Sequence, residues 1–313
     1  MVWIYLSIII LMRVVQSVFS KKNSNNLHKN AVCYVKYTIY YQAIASIFAL
    51  GLYVVELFSN ATIVAFGQTF FYASICGVAL ACACFCSIYV LTSGTMVLSS
   101  LFGTAGLIIP AVASIFLYDE QILWYQWIAL VVFMIGATFL SLGSKKVYGK
   151  FSLKQLLILI FSLIVNGLAM LMQKMFGEEV KGASVSLFSF LTFFIGLVLL
   201  SIFLLVLSLC KKNATTKQND KDFTLYPPCE EQAKFPKKSY LYGLFLAVAV
   251  FLINQLVTLS TPMIQAVVLF SIACGGATVI SAIVGAVMYK EKLTPLTLIG
   301  LVLGIGSLIL LKV

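Results

Sequence analysis

Residues 97–120 read VLSSLFGTAGLIIPAVASIFLYDE, and residues 268–291 read VLFSIACGGATVISAIVGAVMYKE. The two stretches lie 171 residues apart and align without a gap. Val97, Leu98, Ser100, Ile109, Ala111, Tyr118 and Glu120 fall on Val268, Leu269, Ser271, Ile280, Ala282, Tyr289 and Glu291. Beyond them Ile128, Leu130, Val131 and Leu140 fall on Ile299, Leu301, Val302 and Leu311. Matches of Leu, Val and Ile are cheap in apolar sequence. A Tyr-x-Glu in the same short hydrophilic gap, between two apolar runs, is not. A duplicated membrane unit is a signature of transporters.

The rest of the chain places this duplication in a bilayer. Hydrophobic residues make up 62% of it, charged residues 10%, and the mean hydropathy is +1.06. Soluble domains carry about 25% charged residues. No Asp, Glu, Lys or Arg occurs between Leu57 and Tyr118. A spanning helix needs about 20 mostly apolar residues, because each rises about 1.5 Å through about 30 Å of hydrocarbon. Barrel strands would alternate polar and apolar residues, and these runs do not. The reading is an all-α integral membrane protein with ten transmembrane helices, at 2–20, 33–56, 66–91, 95–117, 124–143, 153–174, 184–209, 239–260, 264–288 and 294–312. Ten spans divide into two five-helix repeats, residues 1–147 and 148–313. An odd number of spans per repeat inverts the second copy relative to the first. Residues 1–20 lack a basic leader region and a small-x-small cleavage pattern, and read as a retained span.

The formal net charge of +11 is a membrane cue and not a nucleic-acid one. The gaps after spans one, five, seven and nine hold Lys21, Lys22 and Lys29; Lys145, Lys146 and Lys150; Lys211, Lys212, Lys217, Lys221, Lys234, Lys237 and Lys238; and Lys290 and Lys292. The opposite gaps offer Lys174 and Lys181, with Lys312 at the tail. Positive-inside bias puts the lysine-rich gaps in the cytoplasm and both termini outside the plasma membrane. The polar linker at 210–238 carries Lys, Asn, Asp, Glu and Pro227-Pro228 and is too short for a catalytic domain. With no P-loop, zincin or nucleophile–His pattern, no enzyme, cofactor or metal site is expected. Cys76, Cys82, Cys84, Cys86 and Cys274 lie in spans as small packing residues, and Cys210 and Cys229 are expected to be reduced. The scarcity of Arg beside abundant Lys and Asn suggests a bacterial, AT-rich genome.

Ten spans in two inverted fives, with a short Glu-bearing turn before the last helix of each, resemble the drug/metabolite transporter superfamily, its EamA-like branch in particular. The resemblance rests on Tyr118-Asp119-Glu120-Gln121-Ile122 with helix 126–142, and on Tyr289-Lys290-Glu291-Lys292-Leu293-Thr294 with helix 295–312. The second copy fits the family's Gly-Glu-basic-Leu turn and glycine-bearing helix well. The first departs from it at Gln121, and has Ala129 and Phe133 where the second has Gly300 and Gly304. The resemblance implies alternating-access transport of a small metabolite or drug, usually export. It implies no particular substrate.

The polar residues inside spans are the substrate-binding candidates. Arg13, the single arginine, stands near the middle of the first span, where a basic group costs about 2.5–3.5 kcal/mol on insertion scales. Gln16 shares its face. Either the guanidinium anchors a carboxylate or phosphate on a substrate, or it snorkels to one end or pairs structurally. The corresponding helix of the second repeat carries Asn166, Gln173 and Lys174, with Lys174 close enough to the span end to snorkel. Gln42, Asn254, Gln255 and Gln265 are further cavity candidates, and the alternative for all of them is hydrogen bonding that merely holds helices together. Glu56, at a span end, is expected to face water. Glu120 and Glu291 are expected on opposite faces of the bilayer, each tying the start of the helix after it. Gly275-Gly276 reads as a bend or as a close helix contact, and Gly300 with Gly304 as a helix-packing pair.

No acid lies deep in a span, which argues against proton-coupled antiport of cations. The expected function is secondary transport of a small organic metabolite or drug, with a sugar-phosphate or nucleotide-sugar-like exchanger as the alternative and a non-transporting scaffold as the reading of another class. The expected partners are the lipid bilayer and a small-molecule substrate, with the protein a monomer or a homodimer.

Overall fold

The computed structural model describes residues 1–27, 31–59, 65–93, 105–143, 153–214, 237–289 and 294–310. Every regular element among them is a helix: α1 (Val2–Leu27), α2 (Ala31–Phe58), α3 (Phe66–Ser93), α4 (Ile108–Tyr118), α5 (Trp124–Gly143), α6 (Leu153–Glu179), α7 (Val185–Ala214), α8 (Lys237–Ser260), α9 over 266–289, and α10 (Pro295–Leu310). Seven helical stretches are long and apolar enough to cross a membrane. The chain is a multi-pass membrane protein built wholly from helices in its described part. Helices satisfy their own backbone hydrogen bonds, and hydrocarbon offers those groups no other partner.

The distribution of side chains fits that solvent. Ala45, Ala49, Ala73, Ala247, Ala249 and Ala273 are fully buried, whereas Phe48, Val55, Phe116, Trp124, Leu205 and Val302 point outward. Phe133, Phe188, Phe193 and Phe270 are buried as well, so what marks the solvent is the many large apolar groups left outside. In lipid the large groups gain nothing by hiding, and small residues let helix backbones meet. Gly136 shows the closeness reached between α5 and α10. A Cβ there would stand 3.1 Å from both the Gly300 carbonyl oxygen and the Gly304 nitrogen, so Gly300 and Gly304 do form a packing seam. At the α6–α8 crossing, a Cβ on Gly177 would collide with Thr261 Oγ1.

Helix neighbours follow a pattern. α1 packs on α8, and α6 packs on α3. α2 packs on α8, and α7 packs on α3. α4 packs on α6, and α9 packs on α1. α2 meets α7, α5 meets α10, and α4 meets α9. An apolar centre made of Leu6, Ile9, Leu107, Ala111, Phe133, Val257, Leu269 and Phe270 joins α1, α4, α5, α8 and α9.

Helix α9 is not uniform. It begins as Ala266–Ser271, widens through a π-turn at Ile272–Gly276, and continues as Ala277–Tyr289. A π-turn fits an extra residue into a helix and often marks a functional place. Gly275 and Gly276 lie in it, and Gly276 faces α1, where a Cβ would come 3.0 Å from Ile10 Cδ1. The close-contact reading of this glycine pair is therefore seen at Gly276, inside a π-turn.

Candidate functional site

The helix ends give the bundle two chemically different faces. Ser239, at the start of α8, donates to Asn23 near the end of α1 at 2.7 Å, so these two helices run antiparallel. The start of α1 therefore lies on the same face as Thr261, at the end of α8. That face also gathers the ends of α2, α4 and α6 and the starts of α3, α7 and α9. It carries Glu56, Asp119, Glu120, Glu178 and Glu179, while Lys22, Lys237 and Lys238 lie at the other.

Lys174, on the last turns of α6, organises the acid-rich face. Its side chain is 1% exposed and its Nζ stands 2.8 Å from a carboxylate oxygen of Glu120 and 2.8 Å from one of Glu178. Nζ also donates to the carbonyl oxygen of Thr261 at 2.8 Å and to that of Ile264 at 3.4 Å, and it lies 5.8 Å from the centre of the Tyr118 ring. Lys174 thus neither snorkels nor stands free for a ligand, because its three N–H donors are in use. Glu120 reaches it because Asp119 closes α4 in the left-handed region, φ 50°, and turns the chain back toward α6. The second oxygen of Glu120 accepts the backbone N–H of Ala266 at 3.0 Å. The sequence leads one to expect Glu120 to tie the following helix, but it ties the start of α9, whose orphan N–H groups and dipole favour a carboxylate. Glu291 and the turn around it lie outside the described residues. Beside this cluster, Glu179 accepts from the hydroxyls of Tyr72 and Tyr118.

A hydrogen-bonded chain runs inward from the same face. Ser184 and Ser186, at the start of α7, donate to the two oxygens of Glu56 at 2.5 and 2.6 Å. Glu56 is therefore half-buried and engaged, and does not simply face water. Gln255 Nε2 donates to Ser186 Oγ at 2.8 Å, and Ser189 Oγ donates to Gln255 Oε1 at 2.9 Å. Asn254 Nδ2 donates to Ser189 Oγ at 2.9 Å, and Gln173 Nε2 donates to Asn254 Oδ1. Three of the sequence candidates, Gln173, Asn254 and Gln255, are brought together here, joining α6, α7 and α8. Ser186 and Ser189 were not singled out from sequence, because serines are common and small in membrane helices, and Glu56 was expected only to face water. Gln265 also lies at this end. It donates to the carbonyl oxygen of Gln121 at 3.4 Å and accepts from Gln126 at 3.5 Å.

The other candidates stand apart from that chain. Asn166 donates to the carbonyl oxygen of Ser162 on its own helix at 2.8 Å. Gln42 is buried against Gly196 of α7, and its Oε1 has no hydrogen-bond partner among the described residues. Arg13 lies about 17 Å along α1 from Val2, counting about 1.5 Å per residue. Its face includes Ile9, which is wholly inside the apolar centre, and Gln16 follows half-buried. The Nε of Arg13 is sealed from solvent and has no hydrogen-bond partner among the described residues. Among the described residues no group of three His, Cys, Asp or Glu side chains is placed to hold a metal ion.

The geometry defines a multi-pass helical membrane protein with one saturated ionic face and an arginine held inside its first helix. No protein-family model and no curated protein matches the chain. A solved structure described only as "Crystal structure of protein" shares its fold. The two superpose with a TM-score of 0.69 over 97% of this chain and 95% of that one, at 10% sequence identity.

Proposed function

We propose that the chain is a secondary carrier that moves a small organic metabolite across the plasma membrane by alternating access, built as two inverted five-helix repeats of the drug/metabolite transporter kind. The observation that supports this reading is the exchange pattern of the helix contacts. Replacing each helix n of the first five by n + 5, and the reverse, turns α1–α8 into α6–α3, α2–α8 into α7–α3, and α4–α6 into α9–α1, all of which are observed. The contacts α2–α7, α5–α10 and α4–α9 map onto themselves. A scaffold needs no such twofold relation. A carrier does, because two equivalent halves give two equivalent ways of closing around one central site. The paired Tyr118-x-Glu120 and Tyr289-x-Glu291 turns are the sequence trace of the same relation.

Arg13 supports an anionic substrate, of the kind a sugar-phosphate or nucleotide-sugar exchanger handles. Its Nε, buried without a hydrogen-bond partner among the described residues, is expensive to keep inside a span, and a carboxylate or phosphate matches the forked donors. With the acid-rich face outside, the lysine-rich face is cytoplasmic, as positive-inside bias asks. The test is a thermal-shift screen of the purified protein against organic anions and neutral metabolites, on wild type and Arg13→Ala. The expected result is that anions stabilise the wild type and lose their effect in the variant. Equal stabilisation of both proteins removes Arg13 from the site. Absence of any binding, together with no flux in proteoliposomes, favours the scaffold.

A further inference from the structure

We propose that the contact between Glu120 and Lys174 is a latch that holds the acid-rich face of the carrier shut. The proposal rests on the carrier reading and adds to it the place where that face opens.

Glu120 is the one carboxylate on Lys174 that comes from another segment, since Glu178 lies on Lys174's own helix one turn on. Its two oxygens hold two different helices: one meets Lys174 Nζ on α6 at 2.8 Å, and the other meets the Ala266 N–H that starts α9 at 3.0 Å. A single side chain on the α4–α5 turn therefore clamps that turn onto α6 and α9. Leu107 before α4, Ala111 of α4, and Leu269, Phe270 and Cys274 of α9 belong to one buried apolar cluster.

The arrangement is built to release. Every other partner of Lys174 belongs to α6 or to the α8–α9 turn: Glu178, the Thr261 carbonyl and the Ile264 carbonyl. When Glu120 leaves, Lys174 keeps a carboxylate at 2.8 Å and remains neutralised. Glu120 itself is 12% exposed at the rim and has water at hand. Neither partner is stranded as a bare charge in an apolar place, which is what makes most buried ion pairs costly to open.

Cys274 is a native reporter. It is 2% exposed in the π-turn of α9, about 12 Å inward from Ala266 at about 1.5 Å per residue. The experiment labels the full chain with a membrane-impermeant maleimide in right-side-out and in inside-out vesicles. Labelling of Cys274 is taken as the part lost on Cys274→Ser in each background. Glu120→Gln keeps an acceptor oxygen for Ala266 but removes the charge, and is expected to raise Cys274 labelling about five-fold or more from one side of the membrane alone, the scale of a modest conformational coupling. Glu178→Gln removes an equally close carboxylate of Lys174 without cutting any link between segments, and is expected to leave labelling as in wild type. No rise in Glu120→Gln overturns the latch. A rise from both sides, or an equal rise in Glu178→Gln, shows general loosening and overturns it as well. The readout needs no substrate. A latch that responds in a protein that binds and moves nothing would leave the latch standing and sink the carrier.

Discussion

Lys174 and Arg13 are both basic groups on apolar helices, and the bundle treats them in opposite ways. Lys174 is 1% exposed and has two carboxylates and two carbonyl oxygens around it. Arg13 is only partly buried, yet its Nε is sealed and lacks a hydrogen-bond partner among the described residues. A saturated charge holds protein segments to each other. The Nε of Arg13, buried without a partner among the described residues, leaves a donor for a ligand under the proposed function. The difference is the ground on which Arg13, and not Lys174, is proposed as the binding group.

The largest effect that would break this comparison is at Lys174. Lys174→Met leaves Glu120 and Glu178 facing one another with no cation between them, and removing one partner of a buried ion cluster costs about 3–5 kcal/mol. Thermal unfolding in detergent should show a large fall in Tm. A variant as stable as wild type would mean that the cluster is solvated and that its contrast with Arg13 is empty.

A smaller effect sharpens the line between the two regions. Asn254 is the link next to Gln173 in the chain that starts at Glu56, accepting from Gln173 and donating to Ser189. Asn254→Leu should cost about 0.6–2 kcal/mol, the scale measured for hydrogen bonds between membrane helices. It should leave anion binding unchanged if the chain is a fastening between α6, α7 and α8. Loss of binding with little loss of stability would move Asn254 into the substrate site.

How much of this was legible in the sequence depends on the physical range of each signal. Helix positions are written locally, in runs of apolar residues long enough to cross hydrocarbon, and seven described helical stretches of that length fall on the expected spans, whereas the first part of the expected span 95–117 lies outside the described residues. The close seam of Gly136 with Gly300 and Gly304 was readable because small residues in apolar helices have few other uses. Glu120 was conspicuous, but its partner was not. The expectation that it caps the next helix used sequence proximity, whereas the left-handed turn at Asp119 sends it to α6 and α9. Lys174 reads as close enough to the span end to snorkel, and the one-turn spacing to Glu178 that marks a fixed ion pair goes unused in that reading. The assembly of Gln173, Asn254 and Gln255 with Ser186 and Ser189 depends on crossings between distant helices, and no local pattern encodes those.

The smallest expected change is the most discriminating. Arg13→Leu removes a charge whose place near mid-span costs about 2.5–3.5 kcal/mol on insertion scales and whose Nε has no hydrogen-bond partner among the described residues. If Arg13 is kept for an anion, the ligand-free protein should lose no stability, with Tm in detergent equal to or above that of wild type. The same substitution should abolish any anion-induced rise in Tm. A clear fall in the ligand-free Tm would show that Arg13 is fastened within the protein, as Lys174 is, and would erase the difference between the two. Leucine is the useful replacement, because it fills much of the space of the aliphatic stem and so separates loss of charge from loss of packing.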